Sequence, residues 1–156
     1  MVSQIYLLLH NIRSTHNVGA IFRTADAVEV SKIYLSGYTP APIDRFGRER
    51  SDISKAALGT EKTVPWEQVE SVEKLVKDLK KKKVQVVAVE QDERSVDYRK
   101  IKRNKSMLVI LGNEVEGIEK EILDLSDQIA EIPMLGTKES LNVSVAAGII
   151  LYSLMK

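Results

Sequence analysis

Two short stretches constrain this chain most: "VQVVAVE" (84–90) and "SMLVILG" (106–112). Neither alternates polar with apolar residues, and neither is long enough to be an ordinary buried helix. A strand that is apolar on both faces must be covered on both faces, which is the condition of a parallel sheet held between layers of helices. "IYLLLH" (5–10), "KIYLSG" (32–37) and "QIAEIPM" (128–134) have the same character. Helical patterns lie between them. In "NVGAIFRTADAV" (17–28), Val18, Ile21, Phe22, Ala25 and Val28 make one apolar stripe. "DISKAAL" (52–58) and "GIEKEILDLS" (117–126) fit short helices. "WEQVESVEKLVKDLKKK" (66–82) reads as a single amphipathic helix through Val69, Val72, Val76 and Leu79, with Lys80–Lys83 suiting the negative end of its dipole. "LNVSVAAGIILYSLM" (141–155) reads as the last helix. Strands alternating with helices predict an α/β domain with a mostly parallel sheet and helices on both faces.

The chain has 156 residues, with no repeat and no Pro- or Gly-rich linker, so a single domain over 1–156 is expected. There is no cysteine, which excludes disulfides, zinc–thiolate sites and a cysteine nucleophile. With only His10 and His16, no protein-built metal cage is expected. The first residues, "MVSQIYLLLHN", have a short apolar run without a basic leader or a small-residue cleavage site, and they read as a buried strand. No run reaches the ~18 apolar residues needed to span a bilayer, so no membrane partner and a cytoplasmic location are expected. Net charge is +1. Nucleic-acid binding would therefore depend on local clusters, and two are present: "DRFGRER", with Arg45, Arg48 and Arg50, and "RKIKRNK" (99–105).

In open parallel sheets, ligands bind beyond the carboxyl ends of the strands. Polar residues and glycines gather at four such ends, after "LLLH", "VVAVE", "LVILG" and "AEIPM". After the first, Asn11, Arg13, Ser14, Thr15, His16 and Asn17 lead into a helix. Asn17 is expected to be its N-cap, and Gly19 admits another backbone against the first turn. Arg23 falls at the edge of the buried stripe. Either its stem lies on apolar surface with its head in water, or the guanidinium contacts an anion or hydroxyl. In "LVILGNEVEGIEKEI", Gly112 and Gly117 indicate tight backbone geometry around a ligand, while Glu114 and Glu116 read either as helix-start acids or as functional groups. The spacing matches neither a dinucleotide fingerprint nor a P-loop. In "AEIPMLGTKESLNVSVAAG", Ser140, Asn142 and Ser144 crowd the start of an apolar helix. Ser140 alone reads as a cap. The set reads as a wet, ligand-contacting helix start, and Ala146, Ala147 and Gly148 make the helix narrow enough for close packing.

"NVGAIFRTADA", "LVILGNEVEGI" and "IPMLGTKESLNVSVAAGIILY" resemble, in order and spacing, the three signature motifs of the SpoU (TrmH-like) branch of the SPOUT methyltransferases. The resemblance spans essentially the whole chain. It implies 2′-O-methylation of a ribose in tRNA or rRNA with S-adenosylmethionine, a parallel α/β sheet with a C-terminal trefoil knot, and a homodimer. Residue by residue, it places catalytic roles on Asn17, Arg23, Glu114 and Asn142. Around the cofactor it places Val89 and Glu90, Leu111, Gly112, Asn113 and Gly117, Ile132 and Met134, and Ser140 and Leu141. Many relatives carry an added RNA-binding domain. None is expected here, so RNA capture is expected from the catalytic domain, through Arg13, Arg45, Arg48 and Arg50, and from both subunits of a dimer. A guanidinium is a poor base. Arg23 is therefore expected to polarise the 2′-hydroxyl or hold the adjacent phosphate, oriented with the ribose by Asn17, Glu114 and Asn142, and Asn142 is expected to face Arg23.

Two other readings compete with this one. A base-methylating SPOUT enzyme fits the motifs less well, because "SLNVS" and the Asn17–Arg23 pair belong to the ribose-methylating branch. A catalytically silent RNA-binding scaffold has no reason to retain every one of these polar residues.

Overall fold

The computed structural model describes residues 3–155. Seven strands form one sheet: β1 (Gln4–His10), β2 (Lys32–Ser36), β3 (Trp66–Val69), β4 (Gln85–Val89), β5 (Val96–Asp97), β6 (Ser106–Leu111) and β7 (Gln128–Glu131). Their order is β3-β2-β1-β6-β4-β7-β5, and every pairing is parallel. Five α-helices connect them: α1 (Thr15–Ala27), α2 (Ser51–Ala57), α3 (Val72–Lys81), α4 (Lys120–Leu125) and α5 (Val143–Ser153).

The two-residue period of the strands separates the core into two layers. Leu7 and Leu9 of β1, Met107 and Val109 of β6 and Val87 of β4 face α1, α2 and α5. Leu8, Leu108, Ile110, Val86 and Ala88 face α3 and α4. All six residues of β6 are buried, as its unbroken apolar sequence requires. From β1 the chain moves outward to β2 and β3, whereas β6, β4, β7 and β5 lie on the other side of β1. The switch point between β1 and β6 is where an open parallel sheet leaves a crevice at its carboxyl edge.

The expected long helix over 66–82 does not form. Residues 66–69 instead make the edge strand β3 beside β2, and α3 begins only at Val72. The apolar stripe from Val69 to Leu79 runs through both elements and hides their boundary. Ser71 sets that boundary, its hydroxyl accepting from the Lys74 N–H at 3.1 Å. The two-residue strand β5 has no signal in the sequence.

Gly19 behaves as expected. It is buried in α1, and a Cβ there would lie 2.5 Å from the carbonyl oxygen of Ile53 and 2.7 Å from Cβ of Ala56. That distance allows α2 to sit directly on α1. Gly19→Ala must push two helix backbones apart, so it should destabilise the fold by about 1–3 kcal/mol. A lowered midpoint in urea unfolding checks this, and an unchanged midpoint would show that the two helices are not fixed by this contact.

Candidate active site

The strand ends build a cavity of about 290 Å3. Val89 and Glu90 reach it from the end of β4, and Leu111, Gly112, Asn113 and Gly117 from the end of β6. Ile132 and Met134 reach it after β7, and Ser140 and Leu141 ahead of α5. The ten residues expected around a cofactor therefore line one cavity. The sequence reading missed Gln91, whose only signal was its position directly after a strand end. Its Nε2 donates to the Glu139 carbonyl at 2.5 Å and ties the loop before α5 to the end of β4.

The loop after β6 is held from within. Asn113 Oδ1 accepts from the N–H groups of Val115 and Glu116, at 2.8 and 2.7 Å. The Gly117 N–H returns to the Asn113 carbonyl at 3.0 Å. Gly117 has φ +73°, and a Cβ there would stand 2.2 Å from Glu90 Oε2. That oxygen accepts from the Ile118 N–H at 2.9 Å, so Glu90 clamps the loop from the neighbouring strand end.

Beside the cavity, a line of side chains crosses three segments. Asn17 Nδ2 donates to Glu114 Oε1 at 3.3 Å, and Asn142 Nδ2 donates to Asn17 Oδ1 at 3.2 Å. Asn142 Oδ1 accepts from both the N–H and the hydroxyl of Ser144. Glu114 also lines the cavity. A carboxylate only accepts, so it fixes the direction of every amide in the line.

Three expectations change here. Asn17 is not the cap of α1. Ser14 is, its hydroxyl accepting from the Asn17 N–H at 3.2 Å. Asn17 sits one turn in, 8% exposed, with its amide free for the site. Ser140 is not the cap of α5. Asn142 is, and Ser144, which had no assigned role, orients it. Asn142 meets Asn17 and not Arg23. Arg23 is exposed and has no hydrogen bond or ion pair among the described residues. It follows Asn17 by six positions, about 240° around the helix, and so points from a different face of α1. The structure brings Asn17, Glu114 and Asn142 together and leaves Arg23 apart.

The basic segments divide by use. In "RKIKRNK", Arg99 pairs with Asp97, whose carboxyl is lowered to about 2, first by the Arg99 side chain. Arg103 donates to the Leu154 carbonyl at 2.8 Å and to the Ser3 hydroxyl at 2.6 Å, which is structural work. In "DRFGRER", Asp44 organises a tight turn, and its carboxyl is held below the usual range mainly by the Arg48 backbone N–H. Arg45 and Arg48 are exposed, and Arg50 is half-buried. Arg13 lies 5.7 Å from the ring centroid of Tyr38.

Behind the crevice, His10 is 7% exposed and bridges Ser36 Oγ at 2.8 Å and the Glu119 carboxylate at 3.1 Å. An imidazole that accepts from the serine hydroxyl and donates to the carboxylate satisfies both neighbours. Ser36 is 2% exposed and cannot meet a substrate, so this linkage braces the ends of β1 and β2.

Residues 4–152 match the model of the SpoU rRNA Methylase family. The chain is 36% identical over 142 residues to a tRNA (guanosine(18)-2'-O)-methyltransferase of Aquifex aeolicus, covering 91% of this chain and 64% of that protein. It is 34% identical over 148 residues to the 23S rRNA (guanosine-2'-O-)-methyltransferase RlmB of Bordetella pertussis, covering 95% of this chain and 58% of that one. An AdoMet-bound rRNA methyltransferase from Sinorhizobium meliloti superposes with a TM-score of 0.86 at 32% identity, over 98% of this chain and 56% of that one. The chain thus spans roughly three-fifths of the curated relatives it matches. With the parallel sheet, the strand-end cavity and the three motif segments all in place, the chain belongs to the SpoU rRNA Methylase family.

Proposed function

We propose that this protein methylates a ribose 2′-hydroxyl in structured RNA, tRNA or rRNA, using S-adenosylmethionine. The observation that carries the reading is the line Ser144–Asn142–Asn17–Glu114 beside a cavity lined by the ten motif residues. The cavity fits such a cofactor in chemistry. Val89, Leu111, Ile132, Met134 and Leu141 offer apolar surface for a purine. The backbone groups of Met134 and the hydroxyl of Ser140 take no hydrogen bond among the described residues, and so are free for its polar edges. When bound, the cofactor supplies an electrophilic methyl group.

The residues of this chain do the rest. Asn17, Glu114 and Asn142 present a fixed set of donors and acceptors to the ribose, so the hydroxyl is held without reorganisation. Arg23 stands apart from that line, and its guanidinium, unspent in the fold, holds the phosphate adjacent to the ribose, to which the proton passes. Arg13, Arg45, Arg48 and Arg50 take the RNA backbone. The chain works as one catalytic domain. The C-terminal knot belongs to the same reading and is supported by the sheet order, in which β4 lies between β6 and β7, and by the return of α5 onto α1.

A homodimer is supported by α5. Val145, Tyr152 and Met155 are 50%, 56% and 46% exposed. A Cβ on Gly148 would meet nothing within 4 Å. Positions 145, 148 and 152 recur at helical spacing on α5, with Met155 just beyond its end, forming an apolar stripe with a shallow centre on which a second copy can seat. No described helix is long and apolar enough to cross a membrane.

Arg23→Ala should lower methyl transfer to total RNA by about a hundredfold or more, with cofactor affinity near wild type by calorimetry. Retained transfer would remove Arg23 from the mechanism. Light scattering should give the wild type the mass of two copies and Val145→Glu the mass of one; a single-copy wild type would end the dimer reading.

A further inference from the structure

Phe46 has no part in a purely phosphate-binding loop. It is 66% exposed at the tip of the turn after β2. The guanidinium carbons of Arg45 and Arg48 lie 4.9 and 5.0 Å from its ring centroid. Holding a large apolar ring in water adds nothing to the core. Yet the ring is held firmly. The Asp44 carboxylate accepts from the N–H groups of Phe46 and Arg48, at 2.8 and 3.0 Å, and from Arg48 Nε at 3.2 Å. An antiparallel bridge between Ile43 and Glu49 closes the turn behind it.

A second cavity, of about 570 Å3, opens beside this ring, walled by Tyr38, Ile43, Phe46, Arg50 and Gln68. Arg50 is half-buried in this wall, and its guanidinium makes no hydrogen bond among the described residues. A guanidinium with donors unspent in the fold, in the wall of a cavity, is suited to a phosphate. Gln68, on the edge strand β3, is exposed, and its side chain makes no hydrogen bond among the described residues. Tyr38 links the two cavities: it lines this one, and its hydroxyl accepts at 2.6 Å from Nδ2 of Asn113, which lines the first.

We propose that this second cavity is a nucleobase subsite. An unpaired RNA base next to the methylated nucleotide stacks on Phe46, its phosphate is taken by Arg50, and its edge is read by Gln68. The proposal rests on the RNA-methylation reading for what fills the neighbouring cavity. Every base offers a π-face, and an aromatic ring among arginines is a sequence-tolerant platform for it. Bases in a duplex are already stacked and cannot present that face. The substrate is therefore RNA with an unpaired nucleotide beside the target ribose. Charge favours RNA over a protein surface, since three arginines gather here and the single carboxylate, Asp44, is occupied within its own turn.

The test measures binding of the full chain to a short fluorescein-labelled single-stranded RNA of mixed sequence and to its blunt duplex, across a salt series. Phe46→Ala should weaken single-strand binding by about tenfold, with duplex binding and the salt slope unchanged; Phe46→Trp should restore it. Arg50→Gln should weaken binding and flatten the slope. Far-UV circular dichroism and melting of the Phe46 variants should match wild type, because Phe46 is exposed. Wild-type affinity in Phe46→Ala, equal losses on single strand and duplex, or full rescue by Phe46→Leu would each overturn the subsite. Labelled-methyl transfer to total RNA, measured on the same preparations, separates the two claims. Active transfer with Phe46 indifferent sinks the subsite alone. No transfer by wild type, with single-strand binding still dependent on Phe46, sinks the methylation reading and supports the stacking platform.

Discussion

A carboxylate that can only accept hydrogen bonds sets the direction of a line of three further side chains. Glu114 takes the Nδ2 of Asn17, so Asn17 must turn its oxygen to Asn142, and Asn142 must turn its oxygen to Ser144. A neutral bond of this kind contributes about 1 kcal/mol, and one to a charged group about 1.5–3 kcal/mol. These are small terms beside the burial of a seven-stranded sheet. Their weight is geometric, since they join residues 17, 114 and 142 from three separate segments into one arrangement. A site whose polar groups already point the right way has no reorganisation left to do when charge develops.

The sheet makes that arrangement possible by leaving polar groups nowhere else to go. With both faces covered, the middles of β1, β4, β6 and β7 are apolar, and chemistry collects where they stop. The parallel pairing sends all four ends to the same edge. Glu90 and Gln91 then act as fasteners, one on the loop after β6 and the other on the loop before α5. Asn113 carries the same economy further. It shapes its own loop through its oxygen and reaches Asn11 and Tyr38 through its nitrogen.

The layered α/β architecture was legible because apolar runs without alternation admit few other solutions. The cavity residues were legible through motif resemblance, and the strand-end rule pointed to the same loops. The caps were not legible. Ser14 and Asn17, like Ser140 and Asn142, are all competent N-caps, and spacing cannot choose between candidates two or three residues apart. Strand β3 was hidden because its valine continues the helical stripe of α3. Ser144 acquired a role only once Asn142 was seen to need a donor for its oxygen. The bond that links the two cavities joins Tyr38 to Asn113, 75 positions apart, and no local pattern reports such a contact.

Arg103 holds one more relationship that the sheet order does not reveal. Its guanidinium bonds the Leu154 carbonyl at the end of α5 and the Ser3 hydroxyl just before β1, and Ser3 in turn reaches the Lys105 carbonyl. Here one side chain stitches the first strand to the last helix across the sheet's most buried strand. The segment before β1 and the end of α5 therefore share one anchor, so displacing either loosens the other.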